Sequence, residues 1–382
     1  MSQSQSATAH SLSDTPSNLD DTKKGRARSE KSIEPAVNQP LQLIYAGGTF
    51  GSYGKPLSAL PADVFLPVLL EQVQQQLTPH IQVLPNPVVK DSSQLTPTDL
   101  THFFSLILDS YAQGHRQFVL ITGTDTLSYL GSFLAEAFAS SDVCIVLTAS
   151  MRPLFDAEQL HSYQVDANSD AWGNLAQAVG LASHGEPGVY IAIAEESWPA
   201  QTVQKIHSHD LMAFTGHHRA GYPANSYDKR LPPARRQNWI EDSRAKLSDI
   251  KHNAQSVNIA TIYCVPNNNG WLAMQLAALL EQPPMGVILI GFGAGNIPHS
   301  EALESTMDAL HKQGHMLVCS TQCPFGGVSE AYAAGSWQYQ HHVLSAGRLT
   351  IPAVYARLLW LHLAYDTPAR RRQRWRHNVQ KV

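Results

Sequence analysis

Cysteine is scarce in this chain, with four in 382 residues: Cys144, Cys264, Cys319 and Cys323. Three of them lie in apolar runs, DVCIVLT, IATIYCVP and MLVCST. That placement reads as buried thiols in a reducing compartment and argues against a disulfide-stapled scaffold. Cys319 and Cys323 are spaced Cys-x-x-x-Cys, with no second pair to complete a zinc site. An excess of one charge is lacking as well. Lys and Arg number 27 against 31 Asp and Glu, a net charge of −4, which offers no general field for nucleic acid or anionic lipid. No apolar stretch approaches the length of a bilayer span, and the first residues lack the apolar core of a signal peptide. The expectation is a cytoplasmic protein with a small molecule as partner, and neither nucleic acid nor membrane.

What is present suits a folded protein of two domains. Hydrophobic residues make up 43% and charged residues 15%, a balance that favours a sizeable core. Residues 1–38 are the exception. They are rich in Ser, Asp, Lys and Pro, cannot bury enough surface to offset their ordering entropy, and read as a disordered tail. From Leu41 onward, short apolar runs without polar alternation (LQLIYAGG, QFVLITG, DVCIVLTA, VYIAIAE) read as strands covered on both faces. Amphipathic helices lie between them. The clearest starts at Thr96 with Pro97 in its first turn and sets Leu100, Phe103, Phe104, Ile107, Leu108 and Tyr111 on one stripe. Such alternation predicts an α/β fold with mainly parallel sheets. It breaks between Thr215 and about Gln255, a polar stretch read as an extended connector. It then resumes with NIATIYCV, GWLAMQLAALLEQ, VILIGFG, a helix near Glu301–Gln313, MLVCSTQ and a helix around Ala353–Tyr365. The expected organisation is an N-terminal α/β domain over 39–225, a connector over 226–255 and a C-terminal α/β domain over 256–382. The basic end ARRRQRWRHNVQKV reads as a solvated helix end.

In a parallel sheet, ligands bind where loops leave the carboxyl ends of the strands. Three polar clusters fall at such ends. Ala46-Gly47-Gly48-Thr49 follows the first strand, and its glycines permit close backbone approach. Asp91-Ser92-Ser93 precedes the Thr96 helix. Thr122-Gly123-Thr124-Asp125-Thr126 ends QFVLITG and opens the next helix. A lone threonine or aspartate there would ordinarily cap the first turn, but Thr-Asp-Thr together with a second glycine-flanked threonine carries more chemistry than a cap needs. A threonine hydroxyl attacks an amide only with help from a base or a neighbouring cation. Thr124, Asp125 and Lys205, just beyond the fourth strand in WPAQTVQKIHSHDLMAF, would form such a relay.

GGT, DSS, GTDT, Lys205 with HSHDLMAF, GFGAGN and STQC, in this order, resemble the bacterial-type L-asparaginases, most closely their cytoplasmic type I branch. The resemblance covers about residues 41 to 365. It implies hydrolysis of L-asparagine to L-aspartate and ammonia through a threonine-linked acyl intermediate, with no metal and no cofactor. Thr49 matches the nucleophile, and Thr124, Asp125 and Lys205 match a second triad whose Asp also grips the substrate's α-amino group. Ser92, with Ser93 beside it, matches the α-carboxylate position. Backbone N–H groups near Gly48 and Thr124 would hold the oxyanion, with Gly48 and Gly123 among the residues that bind substrate. Asn296 in GFGAGN matches a residue supplied by a neighbouring subunit, which implies a homodimer or homotetramer.

The chain also departs from the family pattern. TGGT is AGGT here, with Ala46 in place of a threonine, and Thr122 stands where histidine is common. The lid segment GTFGSYGKPLSALPA is shortened and offers Leu57 near the place of the family's lid tyrosine, so Tyr53, four residues after Thr49, is the substitute candidate. Family members regulated by asparagine use a site beside the catalytic lysine and the Cys of TQC. Cys323 is present, but Gln204 replaces an expected threonine, and regulation is not carried over. Rival motifs are weaker. GFGAGN is followed by Ile297-Pro298 and lacks the acidic partner of a dinucleotide site. Ser52-x-x-Lys55 is followed at once by Pro56, and no Gly-x-Ser-x-Gly elbow occurs. The pairs His207/His209, His217/His218 and His341/His342 lack clustered carboxylates or cysteines and read as solvated or capping residues. Alternatives left open are a glutaminase or other amide hydrolase of the same family, and an asparagine-binding sensor with a degraded lid.

Overall fold

The computed structural model describes residues 39–156, 163–217, 230–268, 270–329, 331 and 333–379. The tail expected over residues 1–38 lies outside the described residues. The elements of the first half are β1 Leu41–Tyr45, the hairpin β2 Ser52–Tyr53 and β3 Ser58–Ala59, α1 Ala62–Gln76, β4 Ile81–Val83, α2 Pro97–Ala112, β5 Gln117–Ile121, α3 Leu127–Ala137, β6 Cys144–Thr148, α4 Ala171–His184, β7 Gly188–Ile193, β8 Glu196–Pro199, β9 Gln204–Lys205 and β10 Phe214–Thr215. The second half holds α5 Pro233–Asn253, β11 Ile259–Tyr263, α6 Trp271–Ala277, β12 Gly286–Gly291, α7 Glu301–Gln313, β13 Met316–Thr321, α8 Ala333–Gln340, β14 Leu344–Ser345, α9 Ile351–Ala364 and α10 Pro368–Val379.

The apolar runs form strands because both faces of each sheet are covered. The first sheet has the order β4-β1-β5-β6-β7-β8, parallel except for β8. Along β1, Ile44 joins a core with α2, α3, α5 and α9, while Leu43 and Tyr45 join another with α1 and α4. Alternate residues serve opposite faces, and the one polar residue of the strand, Gln42, is buried with its amide donating to the Pro40 carbonyl at 3.0 Å. The second sheet, β11-β12-β13-β14, is wholly parallel. Its β12 sends Val287 and Leu289 toward α6 and α7, and Ile288 and Ile290 toward α9 and Trp375 of α10. Helix α9 serves both sheets: Ala356, Leu359 and Leu363 pack in the first core, Val354, Leu358 and Leu361 in the second. The α/β architecture expected from the sequence is the one observed.

The Thr96 helix is α2. Thr96 and Asp99 form a reciprocal capping box with Pro97 in the first turn, and all six residues of the expected stripe are buried. The extended reading of the connector is corrected. Part of it lies outside the described residues, but 233–253 is the 21-residue helix α5. Its charged faces hide the period, since Ile240 and Ile250 alone are buried, with Trp239 and Leu247 packed partly beside them. Docking supplies what amphipathicity lacks. Arg236 Nε and Nη2 donate to both carboxylate oxygens of Asp142 at 3.0 and 2.6 Å, the Leu231 N–H donates at 3.0 Å, and the Tyr111 hydroxyl donates as well. Burial alone would raise the Asp142 carboxyl, but the hydrogen bonds from Arg236 and Tyr111 outweigh it and hold it below the usual carboxylate range.

His362 on α9 is 5% exposed. One ring nitrogen, Nδ1, lies 2.8 Å from the Leu358 carbonyl, and the other is buried without a hydrogen-bond partner. Burial, with Arg371 nearby, lowers its pKa to about 4. The folded protein therefore resists a proton that the unfolded chain accepts near pH 6.5, and stability falls as pH drops from about 6.5 toward 4. The expected loss from this residue at pH 5 is about 2 kcal/mol. Denaturant titrations at pH 7 and pH 5 check this: His362→Leu should shrink the difference by that amount, and an unchanged difference would refute it.

Candidate active site

Three loops meet at the carboxyl ends of β1 and β5, and glycine is what lets them meet. Gly48 has φ 86°, and a methyl group on it would stand 2.5 Å from the Gly123 nitrogen. A methyl on Gly123 would stand 2.8 Å from Cβ of Ser92. Each distance is too short for any side chain, so Gly48 and Gly123 touch backbone to backbone with Ser92 against them. Thr49 and Thr124 directly follow the two touching glycines. Thr49 opens a short 3-10 turn, Thr49–Gly51, and is half-buried.

The Asp91-Ser92-Ser93 turn is fastened on both sides. Lys90 N–H donates to the Ala46 carbonyl at 3.2 Å, Lys90 Nζ pairs with Asp99 at 2.9 Å, and the Thr126 hydroxyl donates to the Ser92 carbonyl at 2.9 Å. Ser92 is buried. Ser93 is exposed, and its hydroxyl and N–H donate to Asp91 Oδ1 at 2.7 and 2.8 Å, which pulls the Asp91 carboxyl below its usual range. Of the two serines, Ser92 is the one set against the glycine contact.

The capping alternative for GTDT does not describe what these side chains do. The N-cap of α3 is Thr126, which makes no side-chain cap bond. Thr124 and Asp125 instead meet Lys205: its Nζ lies 3.0 Å from Thr124 Oγ1 and 2.8 Å from Asp125 Oδ1. Lys205 reaches them from β9, which pairs antiparallel with β10, Lys205 opposite Phe214. Thr124 is buried, whereas the Asp125 side chain is 61% exposed. The cluster thus has a packed hydroxyl, a cation and an open carboxylate beside a glycine-lined backbone, a combination suited to polarising a hydroxyl and holding an ammonium group.

Tyr53 lies on the β2–β3 hairpin, Tyr53 opposite Ser58, and is half-buried against the core beneath α1. Asn296 follows β12, where its carbonyl accepts from the Phe292 N–H. Its side-chain Oδ1 is buried without a hydrogen-bond partner. Its neighbours include Phe292 and Gly335. A cavity of about 290 Å³ opens beside Lys205, walled by Gln204, His217, Thr321, Cys323, Arg348 and Thr350 among others; Thr49, Thr124 and Asp125 are not part of its walls. Cys144, Cys264 and Cys319 are buried free thiols and Cys323 is an exposed one. Among the described residues no three His, Cys, Asp or Glu side chains group so as to hold a metal ion, and no helix is long and apolar enough to cross a membrane.

A buried trio escaped the sequence reading. Glu136 on α3 and Arg357 on α9 form an ion pair at 2.8 Å with side chains 6% and 4% exposed, and Gln201 Nε2 donates to the same Glu136 oxygen at 2.6 Å. The signal was a single charge in each of two apolar helices, LSYLGSFLAEA and IPAVYARLLWLHLA, since such charges are buried only when paired.

Comparison with known proteins places the chain in a family. The asparaginase N-terminal family model matches residues 40–228, and the glutaminase/asparaginase C-terminal domain model matches residues 258–374. The chain is 28% identical over 273 residues to an L-asparaginase of Thermococcus kodakarensis, covering 71% of this chain and 76% of that one. It is 24% identical over 338 residues to L-asparaginase 1 of Escherichia coli, covering 84% and 91%. The solved L-asparaginase I of Vibrio cholerae shares the fold with a TM-score of 0.66 at 20% identity, over 88% of this chain and 96% of that one. Matched along both of its sheets, the chain belongs to the asparaginase family.

Proposed function

We propose that the chain hydrolyses L-asparagine to L-aspartate and ammonia by way of an acyl-threonine. The observation that carries this reading is the contact of Lys205 Nζ with both Thr124 and Asp125, next to the glycine contact that draws Thr49 alongside. Thr49 Oγ1 attacks the side-chain amide carbon. The hydroxyl proton passes to Thr124 Oγ1 as Thr124 hands its own proton to the departing nitrogen, with Lys205 Nζ steadying that oxygen by the hydrogen bond it donates; the C–N bond breaks and ammonia leaves. Water then attacks the ester carbon, the C–O bond to Thr49 breaks, and aspartate departs with the threonine hydroxyl restored. Asp125 receives the α-amino group and Ser92 the α-carboxylate, while backbone N–H groups at Gly48, Gly123 and Thr124 hold the oxyanion. Ser93 shapes the Asp91 turn.

The open face of Asp125 supports a site completed by a second copy of the chain in a homodimer or homotetramer, with Asn296 of the neighbour reaching in. Free cysteines and a near-neutral charge support a cytoplasmic setting. Tyr53 supports a second reading: packed against the core on a short hairpin, it is poorly placed to close over a substrate, which suits an asparagine-binding sensor.

Ammonia release by purified protein separates the two readings. Release from L-asparagine with a specificity constant about tenfold or more above that for L-glutamine is expected, because Asp125 and Ser92 set one distance to Thr49 and an added methylene displaces the amide carbon. A raised melting temperature with asparagine but no ammonia would favour the sensor. Light scattering on the same sample should find an oligomer, and a fully active monomer would overturn the shared site.

A further inference from the structure

We propose that Glu136, Gln201 and Arg357 form a buried strap that positions Lys205, so that residues of the C-terminal half govern turnover without touching substrate. This inference rests on the role given to Lys205 above. Helix α3 is held at both ends of one circuit. The loop leading into it bears Thr124 and Asp125, which hold Lys205 Nζ. Its last turn bears Glu136, which holds Gln201.

Gln201 lies in the 3-10 turn Ala200–Thr202, four residues before Lys205, and is buried. Every residue of that turn is fastened. Ser132 of α3 donates to the Ala200 carbonyl at 3.3 Å, and Thr350, just before α9, donates to the Gln201 carbonyl at 3.4 Å. Thr202 Oγ1 donates to the Pro199 carbonyl at 2.8 Å and accepts from the His217 N–H at 3.1 Å. The lysine backbone therefore hangs from α3 and α9 together, while its tip is gripped by the loop that begins α3.

Stability alone gives a weak account of the ionic pair at the centre of this strap. Two buried charges lose their hydration, and an apolar pair of similar volume commonly serves stability as well or better. Arg357 is not fully satisfied: Nη1 is buried without a hydrogen-bond partner, and the guanidinium rests 5.6 Å from the Trp375 ring centre. What an ion pair adds over a greasy contact is direction. Arg357 Nε fixes the Glu136 oxygen from one side, which leaves that oxygen aimed at the Gln201 amide. Proton relays tolerate displacements of an ångström poorly, so the effect should fall on the chemical step rather than on substrate binding.

The test is a double-mutant cycle on the full chain with asparagine as substrate. Gln201→Met keeps the volume and leaves the Glu136–Arg357 pair intact. It is expected to lower kcat about tenfold or more with KM changed less than about threefold. Lys205→Met is expected to lower kcat far more, and adding Gln201→Met to it should cost nothing further, since the strap acts only through the lysine. Arg357→Lys retains the charge but loses the planar fork, and should reproduce the kcat loss in milder form if Gln201→Met fails to fold. Full kcat in Lys205→Met would overturn the lysine reading itself. A dead Lys205→Met beside a Gln201→Met and an Arg357→Lys of normal kcat, or losses that add in the double variant, would overturn the strap alone.

Discussion

Thr49→Ala and Thr124→Val are each expected to lower turnover by about 10³-fold or more while the protein still folds. Thr49 is half-buried at the head of a short turn, and removing its hydroxyl and methyl leaves the backbone contacts of Gly48 untouched. Thr124→Val is close to isosteric, so packing is kept and what disappears is the oxygen 3.0 Å from Lys205 Nζ. The two variants should fail differently. Thr49→Ala lacks the atom that forms the acyl bond and should show no burst of ammonia in a single turnover. Thr124→Val keeps the nucleophile but loses the relay, so a slow burst should survive. Rapid-quench ammonia measurement with melting curves alongside checks both. Near-normal kcat in either variant, at an unchanged melting temperature, would sink the assignment of two threonines to two roles.

Gly48→Ala should be damaging as well, although alanine brings no functional group. Its methyl would stand 2.5 Å from the Gly123 nitrogen in a backbone with φ 86°. With ψ at −175° this backbone lies in a region essentially confined to glycine, and holding an L-residue there costs on the order of 1–3 kcal/mol. The clash is with backbone rather than a flexible side chain, so the loops of β1 and β5 must move apart. That separates Thr49 from Thr124, and a displacement of about 1 Å is expected to lower kcat about 100-fold, with a fall in melting temperature. Gly180→Ala is the control, because on α4 a methyl meets nothing within 4 Å. It should leave activity unchanged and add about 0.5–1 kcal/mol of stability. Full activity in Gly48→Ala would show that the two loops can part without loss, and the close contact would then carry no function.

The strands and the capped helix α2 were legible in the sequence because their causes are local. Apolar runs without alternation occur where a strand is covered on both faces, and Thr96-Pro97-x-Asp99 writes its cap in four adjacent residues. Helix α5 was not legible. Its buried positions are few among many charges, and its anchor Asp142 lies 94 residues away from Arg236. No local window contains that bond.

At the site, the sequence by itself determined which residue types stand at strand ends: glycines before Thr49 and Thr124, a carboxylate after the second, and a lysine beyond the fourth strand. Only the tertiary structure decided that they meet. Lys205 is 81 residues from Thr124 in the chain, and Gly48 is 75 from Gly123, separations that spacing alone cannot bring together. Parallel pairing of β1 with β5 places their carboxyl ends side by side, and absent side chains at the two glycines let those ends close to contact. The same holds for Glu136 and Arg357, each an isolated charge in an apolar helix when read along the chain. They become one buried pair because α9 packs on α3, and a charge taken out of water stays charged only beside its partner.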